Sequence, residues 1–261
     1  MSQSVGVVVP AYRPDPERLV PYVHALVEEF DPAAVRVELD APRAETLDAL
    51  SALPSVAVVN AADTRRGKGA AITAGFEALD TDILAFADAD GSTPAASMGH
   101  VVAAVREGAD LAVGSRRHPR ATVASHQTVA RRYLGDGFAW LARRLLDVPL
   151  YDYQCGAKAI TADAWDDVRG HLYEPGFAWD IELIAVSGAF GHCVAEVPVV
   201  WEDQPNSTVS PVDTTIKMAR GLVRSRHRAR TIREDRLHEF IAAQNDQCTL
   251  VEEFSAEVTD D

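Results

Sequence analysis

TDILAFADADGS, residues Thr81–Ser92, carries both the fold and the first sign of chemistry. Ile83 to Phe86 is an apolar run that reads as a buried strand. It passes directly into Asp88-Ala89-Asp90 and Gly91. Residues two apart on an extended chain point to the same side. The spacing therefore aims two carboxylates together at the carboxyl end of a central strand, where open α/β sheets bind ligands. Carboxylates so placed repel each other unless a cation joins them. A hard divalent cation with oxygen ligands fits, and such a cation commonly comes with a diphosphate. The pattern is short, and two solvated acids before a turn would look the same.

Outward from this stretch, strand-like and helix-like segments alternate. Val5–Val9, Val35–Leu39, Val56–Val59 and Leu111–Val113 read as strands. Pro16–Phe30, Glu45–Leu53, Gly69–Leu79 and Ser97–Glu107 read as helices, the first from the spacing of Leu19, Val20, Val23, Leu26 and Val27. The alternation predicts an α/β fold, a mostly parallel central sheet with helices on both faces. Further on, Val123–Leu146 reads as one long helical region, Ile160–Val168 and Trp179–Ser187 as helices, and His192–Trp201 as a strand. Residues 217–236 form a basic island of one lysine and seven arginines, opening on the apolar Ile216, Ala219, Leu222 and Val223. The expected organisation is a main domain over 1–212, a basic amphipathic helical region over 213–244, and an acidic disordered tail over 245–261.

At 261 residues and 47% hydrophobic composition, the chain can bury a large core as one domain with an appendage. Its net charge is -14, and only three lysines occur, Lys68, Lys158 and Lys217. Excess acid with almost no lysine resembles proteins kept soluble in high salt. The acidity also argues against non-specific nucleic-acid binding, which depends on neutralising phosphates. Cys155, Cys193 and Cys248 lack the paired spacing of a zinc site or disulfide framework and read as free thiols. No segment approaches the length of an apolar membrane span, and no signal peptide is apparent. A cytoplasmic location is expected.

Other constellations cluster at predicted strand ends. Val9-Pro10-Ala11-Tyr12 closes the first strand and offers Tyr12 as a partial stacking surface for a base. Asp40, at the end of the second, would accept a hydrogen bond from a base N–H or simply start a turn. Arg65-Arg66-Gly67-Lys68-Gly69 precedes a helix. Its glycines, N–H groups and cation suit an anion, although P-loop spacing is absent. Gly114-Ser115-Arg116-Arg117 and Arg131-Arg132 offer arginines of the kind that grip phosphate. Asp152-Tyr153-Gln154-Cys155-Gly156-Ala157-Lys158 is a polar stretch between apolar segments. Trp179-Asp180-Ile181-Glu182 sets two acids at a helix start, where they would complement its dipole.

Seven stretches, in order, resemble the family-2 glycosyltransferases of the GT-A fold. They are VVVPAY (7–12), RGKGAAITAGFEA (66–78), DILAFADADGS (82–92), VGSR (113–116), DYQCGAKAI (152–160), FAWDIELI (177–184) and EVPVVWEDQPNSTVS (196–210). Within that family the chain looks most like the polyprenyl-phosphate sugar synthases, the dolichyl-phosphate glucosyl- and mannosyltransferases. The resemblance implies that Pro10, Ala11 and Tyr12 line a nucleotide pocket, Asp40 binds the base, and Lys68 lies near the nucleotide. It makes Asp90 the main ligand of Mg2+ or Mn2+, with Asp88 divided between ribose and metal. Arg116 and Arg131 would hold an acceptor phosphate. Asp152 and the 154–158 loop with Lys158 would shape the reaction centre, with Asp180 and Glu182 close by.

The implied reaction is an inverting transfer from a nucleotide-diphosphate sugar, a UDP-hexose by the look of QCGAK, to polyprenyl or dolichyl phosphate, feeding protein or surface glycosylation. Asp152 would be the first candidate base if the acceptor were an alcohol. The basic island would lie on an anionic membrane surface, making the protein peripheral on the cytoplasmic face. The alternatives are a soluble glycosyltransferase acting on a small phosphorylated or hydroxyl acceptor, and a non-catalytic nucleotide-sugar-binding protein. A nucleotidyltransferase fits less well, lacking a glycine-rich loop after Val9. Departures from the family pattern fall at Arg13-Pro14-Asp15, at Asp40-Ala41-Pro42, at Ser92, where a glutamine often assists the metal, and at Thr208, where the family has lysine.

Overall fold

A computed structural model describes residues 3–123, 129–202, 211–233 and 248–259. Strands Val5–Tyr12 (β1), Ala34–Asp40 (β2), Ala57–Ala62 (β3), Ile83–Ala87 (β4) and Leu111–Ser115 (β5) alternate with helices Pro16–Phe30 (α1), Ala44–Ala49 (α2), Lys68–Glu77 (α3) and Ala95–Arg106 (α4). The starts follow local chemistry: the Asp15 carboxylate accepts the Glu17 N–H and Pro16 opens α1. Then come Thr122–Val123 (β6), Val129–Leu145 (α5), Ala157–Thr161 (β7), Ala162–Val168 (α6), Trp179–Phe190 (α7), Val194–Pro198 (β8), Val200–Trp201 (β9), Pro211–Ile232 (α8) and Leu250–Thr259 (α9).

The main sheet runs β3-β2-β1-β4-β7-β5-β8, with β6 and β9 forming a separate parallel pair. Successive residues serve opposite faces. Val5, Val7 and Val9 of β1 join Ile83, Ala85 and Ala87 of β4 in the core under α1 and α4. Val8, Leu84 and Phe86 join the other core, with Phe76 of α3, Trp165 of α6 and Trp179 of α7. Burial on both faces makes these strands read as continuous apolar runs.

Three sequence expectations change. Ile160–Val168 is not one helix: 157–161 form β7, antiparallel to both β4 and β5. A short run of mixed polarity has no period that separates strand from helix, and Lys158 in its middle hides it. Ala157 and Ala159 face one core, while Lys158 faces α7 with Ile160 on the other. Val123 does not start the long helix. It pairs with Trp201, and α5 begins at Val129, with residues 124–128 outside the described set.

The acidic tail is not wholly disordered. Residues 250–259 form α9, which docks on α3 and on the 3-10 turn Arg169–His171. Thr249 and Glu252 make a reciprocal capping box, Thr249 N–H to the Glu252 carboxylate at 2.8 Å and Glu252 N–H to the Thr249 hydroxyl at 3.3 Å. Leu250 is 1% exposed, and its N–H donates to Leu172 O at 2.9 Å.

Within the expected basic region, α8 packs along α7 through Met218 and Leu222, while residues 234–247 lie outside the described set. Many of its arginines turn toward the protein. Arg226 donates to Leu145 O at 2.7 Å and Arg233 to Gly188 O at 2.7 Å, answering carbonyls at the ends of α5 and α7. Arg228 pairs with the buried Glu182, Arg224 with Glu174 at 3.3 Å, and Arg230 and Arg233 with Asp147.

Leu250→Ala is expected to cost about 2–3 kcal/mol in urea unfolding, the range for a buried leucine truncated to alanine. An unchanged midpoint would mean that α9 is not docked.

Candidate active site

The carboxyl ends of β1, β2 and β4 and the start of α3 surround a solvent-open cleft of about 220 Å³. It gathers Pro10, Ala11, Tyr12, Asp40, Lys68, Asp88 and Asp90, together with Arg65 and Phe177. All seven residues that the sequence assigns to a nucleotide or metal therefore meet in one place. Arg65 and Phe177 had no assigned role, although both lie in or beside the quoted motifs. The Arg65 guanidinium lies 4.1 Å from the Tyr12 ring centre, so an aromatic-basic pair forms this wall.

Close backbone packing accounts for the glycines at the start of α3. Gly67 has φ +106°, and a Cβ there would meet Pro175 O at 2.5 Å. A Cβ at Gly69 would run into Glu174 O and the Trp179 side chain. Ala70 N–H donates to Pro175 O at 3.1 Å, and Gly67 N–H to the Asp40 carboxylate at 2.9 Å. Gly67 and Gly69 thus seat the 174–176 loop, and the Gly67 and Ala70 N–H groups are taken by Asp40 and Pro175 rather than left for an anion. Asp40 is 3% exposed and also accepts from Arg66 Nε at 2.8 Å.

Behind the cleft, two of the chain's three lysines share one carboxylate. Lys158 Nζ lies 2.5 Å from Asp180 Oδ1 and 2.7 Å from Cys155 O. Lys68 Nζ lies 2.9 Å from Asp180 Oδ2 and 3.0 Å from Asp88 Oδ1. Both ammoniums also lie over the Phe86 ring, at 5.1 and 5.4 Å. Burial would raise the Asp180 carboxyl, but Lys158 and Lys68 hold it below the ordinary range. Burial would likewise lower Lys68, and Asp180 and Asp88 more than offset it. Lys158 is 1% exposed and lies behind Asp180 rather than in the cleft. It supports the site; it does not line it.

Asp88 is fixed from β7, since its N–H donates to Gly156 O at 2.9 Å. A Cβ at Gly156 would collide with the Asp88 carboxylate. Asp90 accepts the Ser92 N–H at 2.9 Å. Crowding by protein atoms, and then the Asp88 charge, push Asp90 above the usual carboxylate range. This charge crowding suits a cation. Among the described residues no three His, Cys, Asp or Glu side chains converge on a metal geometry. Two carboxylates with the remaining ligands from a diphosphate and water is the way Mg2+-type ions are commonly held.

Arg116, just past β5, is anchored by Asp152. The carboxylate receives Arg116 Nε at 2.7 Å, Nη2 at 3.0 Å and its backbone N–H at 3.1 Å, plus Gln154 N–H at 3.0 Å. Burial would raise Asp152, yet Arg116 and the Gln154 N–H hold it far below the ordinary carboxylate range. That corrects its candidacy as a base: a carboxylate so firmly ionised is a poor proton acceptor near neutral pH. Cys155 is buried and pushed up to about 11, consistent with an inert thiol. Arg131 lies in the first turn of α5, but its side chain falls outside the described residues, as do Thr208 and the 203–210 segment.

Residues 6–155 match the family described as Glycosyl transferase family 2. Glycosyltransferase AglD of Haloferax volcanii is 32% identical over 167 residues, covering 62% of this chain and 26% of that protein. Dolichyl-phosphate beta-glucosyltransferase of Homo sapiens is 28% identical over 164 residues, 60% of this chain and 51% of the relative. The chain thus spans between a quarter and about half of the length of these curated relatives. The crystal structure of glucosyl-3-phosphoglycerate synthase from Mycobacterium tuberculosis with Mn2+, UDP and glucosyl-3-phosphoglycerate is similar in fold. It has a TM-score of 0.56 at 18% identity, over 88% of this chain and 80% of that one. The architecture is the GT-A fold.

Gly156→Ala is expected to displace Asp88 and weaken Mn2+ binding about 10- to 100-fold, the usual loss when a ligand's support is disturbed. Calorimetry on a variant with wild-type circular dichroism checks this. Unchanged affinity would contradict the packing of Asp88 against Gly156.

Proposed function

This chain belongs to glycosyl transferase family 2, and on that premise we propose that it transfers a hexosyl group from a nucleotide diphosphate to a polyprenyl or dolichyl phosphate. The observation that carries the donor half is the meeting of Asp88, Asp90, Lys68 and Tyr12 in one cleft at the carboxyl ends of the strands. Tyr12 would stand beside the base, and Asp40 at the cleft floor would accept from it with whatever capacity Arg66 and Gly67 leave. Asp90 and Asp88 would hold Mg2+ or Mn2+, which when bound supplies Lewis-acid neutralisation of the leaving diphosphate. The protein bound with Mn2+ and UDP in the fold relative supports this choice of metal.

The acceptor half rests on Arg116. Asp152 fixes its guanidinium, so its orientation is set before a phosphate arrives. Arg131 would assist. A phosphate monoester is largely ionised near neutral pH, so the attacking oxygen needs positioning more than deprotonation. The lack of an available base at Asp152 agrees with that. The name of the human relative favours a lipid phosphate acceptor and a glucosyl donor. Among the described residues, no helix is long and apolar enough to cross a membrane. A lipid acceptor would then be met at an anionic membrane surface, and on α8 this reading falls to Arg220 and Val223, which face outward.

The test supplies labelled UDP-glucose, UDP-GlcNAc or GDP-mannose with Mn2+, and either polyprenyl phosphate or 3-phosphoglycerate. Label is expected in the organic phase with UDP-glucose and polyprenyl phosphate only, and Asp90→Ala should abolish it. Transfer to 3-phosphoglycerate alone would replace the lipid acceptor with a small one. Full turnover by the Asp90→Ala variant would remove the metal assignment.

A further inference from the structure

Lys68 holds two carboxylates of different kinds. Asp180 is buried and already neutralised by Lys158 at 2.5 Å. Asp88 lies at the cleft, with 40% of its side chain exposed, and Lys68 at 3.0 Å is its cation. A divalent ion bound through Asp88 Oδ1 must displace that ammonium, and one bound through Oδ2 still meets its charge across the same carboxylate.

We propose that Lys68 is an exchangeable counter-ion, which Asp88 releases to a divalent cation and the donor diphosphate then takes up. The proposal rests on the donor-site reading above and adds a consequence: the protein itself opposes metal binding until a diphosphate arrives. Metal and nucleotide are thereby coupled through one side chain, over and above any direct ligation of the metal by phosphate.

Three observations favour exchange over a fixed structural role. The first is residue choice. Of 25 basic residues only three are lysine, so this chain meets nearly all its cationic needs with arginine. An arginine fork at this position would be locked on its carboxylates, whereas an ammonium on a flexible stem can swing between oxygens without losing charge. The second is anchorage. Asp180 at 2.9 Å retains Lys68 when Asp88 lets go, so the cation stays in the cleft wall instead of drifting to solvent. Lys158 keeps Asp180 ionised throughout, which makes Asp180 and Lys158 positioning residues for Lys68. The third is charge balance. Lys68, Lys158, Asp180, Asp88 and Asp90 sum to minus one, so a divalent ion alone leaves one positive charge in excess, and the anionic diphosphate removes it.

The experiment measures Mn2+ binding calorimetrically to the full chain, with and without UDP, for wild type, Lys68→Met and Lys68→Gln. Each variant leaves Asp180 paired with Lys158, so the fold should survive. With no nucleotide, both variants are expected to bind Mn2+ about tenfold more tightly than wild type, because a competing charge a few ångströms away is gone. With saturating Mn2+, both should bind UDP about tenfold more weakly, because the displaced cation is missing. Removal of a lysine whose charge does not reach the metal site would leave the affinity for metal unchanged. Equal or weaker Mn2+ binding by both variants, with wild type still binding UDP and Mn2+ together, overturns the exchange and leaves the donor site standing. A wild type that binds no nucleoside diphosphate with Mn2+ overturns both.

Discussion

Asp180 sits in the first turn of α7 with 2% of its surface exposed, and two ammonium groups divide its carboxylate. A buried charge is tolerated only when partners and hydrogen bonds are complete, and here completion needs four elements at once. Lys158 comes from β7, Lys68 from the start of α3, Asp88 from the end of β4 and Asp180 from α7. The Phe86 ring beneath both ammoniums ties the cluster to the aromatic core of Phe76, Trp165 and Trp179. Satisfying Asp180 therefore positions the cleft, which inherits its geometry from a requirement of burial.

The same economy recurs elsewhere. Gly67 and Gly69 let the 174–176 loop press on α3, which brings the start of α7 and Phe177 beside the cleft. Gly156 lets β7 press on Asp88. Asp152 orients Arg116 and gives up basicity to do so. At the far end, α8 spends Arg226 and Arg233 on the carbonyls of Leu145 and Gly188 and Arg228 on Glu182, so these arginines of the basic island hold α8 against the rest of the fold. Among the described residues of α8, Arg220, Val223 and Arg224 still face outward.

Much of this was legible in the sequence because local rules and global fold agree there. The βα alternation and the Asp88-Ala89-Asp90 spacing at a strand end led to the parallel sheet and to a convergent pair of carboxylates, and Pro10, Ala11, Tyr12, Asp40 and Lys68 gather at the same edge. Illegible features were those decided by tertiary contact. Lys158 in a strand looks like a break in an apolar run until Asp180 is placed opposite it. The glycines of RGKG suit an anion in the sequence, and only the fold shows Pro175, Glu174 and Trp179 packed against them. The roles of Asp152 and Arg116 depend on a pairing 36 residues apart in sequence. The capping box Thr249-Leu250-Val251-Glu252 was readable in principle, but the acid content of the tail masked it.

In the proposed mechanism the carboxyl edge at β4 is a donor-diphosphate site whose charges rearrange around Lys68. A crystal structure of the chain with UDP and Mn2+ tests it most directly. Mn2+ is expected on the Asp90 carboxylate, with Lys68 Nζ still within hydrogen-bond distance of Asp180 but moved from Asp88 to a diphosphate oxygen. A diphosphate bound elsewhere, or Lys68 still paired to Asp88 with Mn2+ and UDP in place, would contradict it.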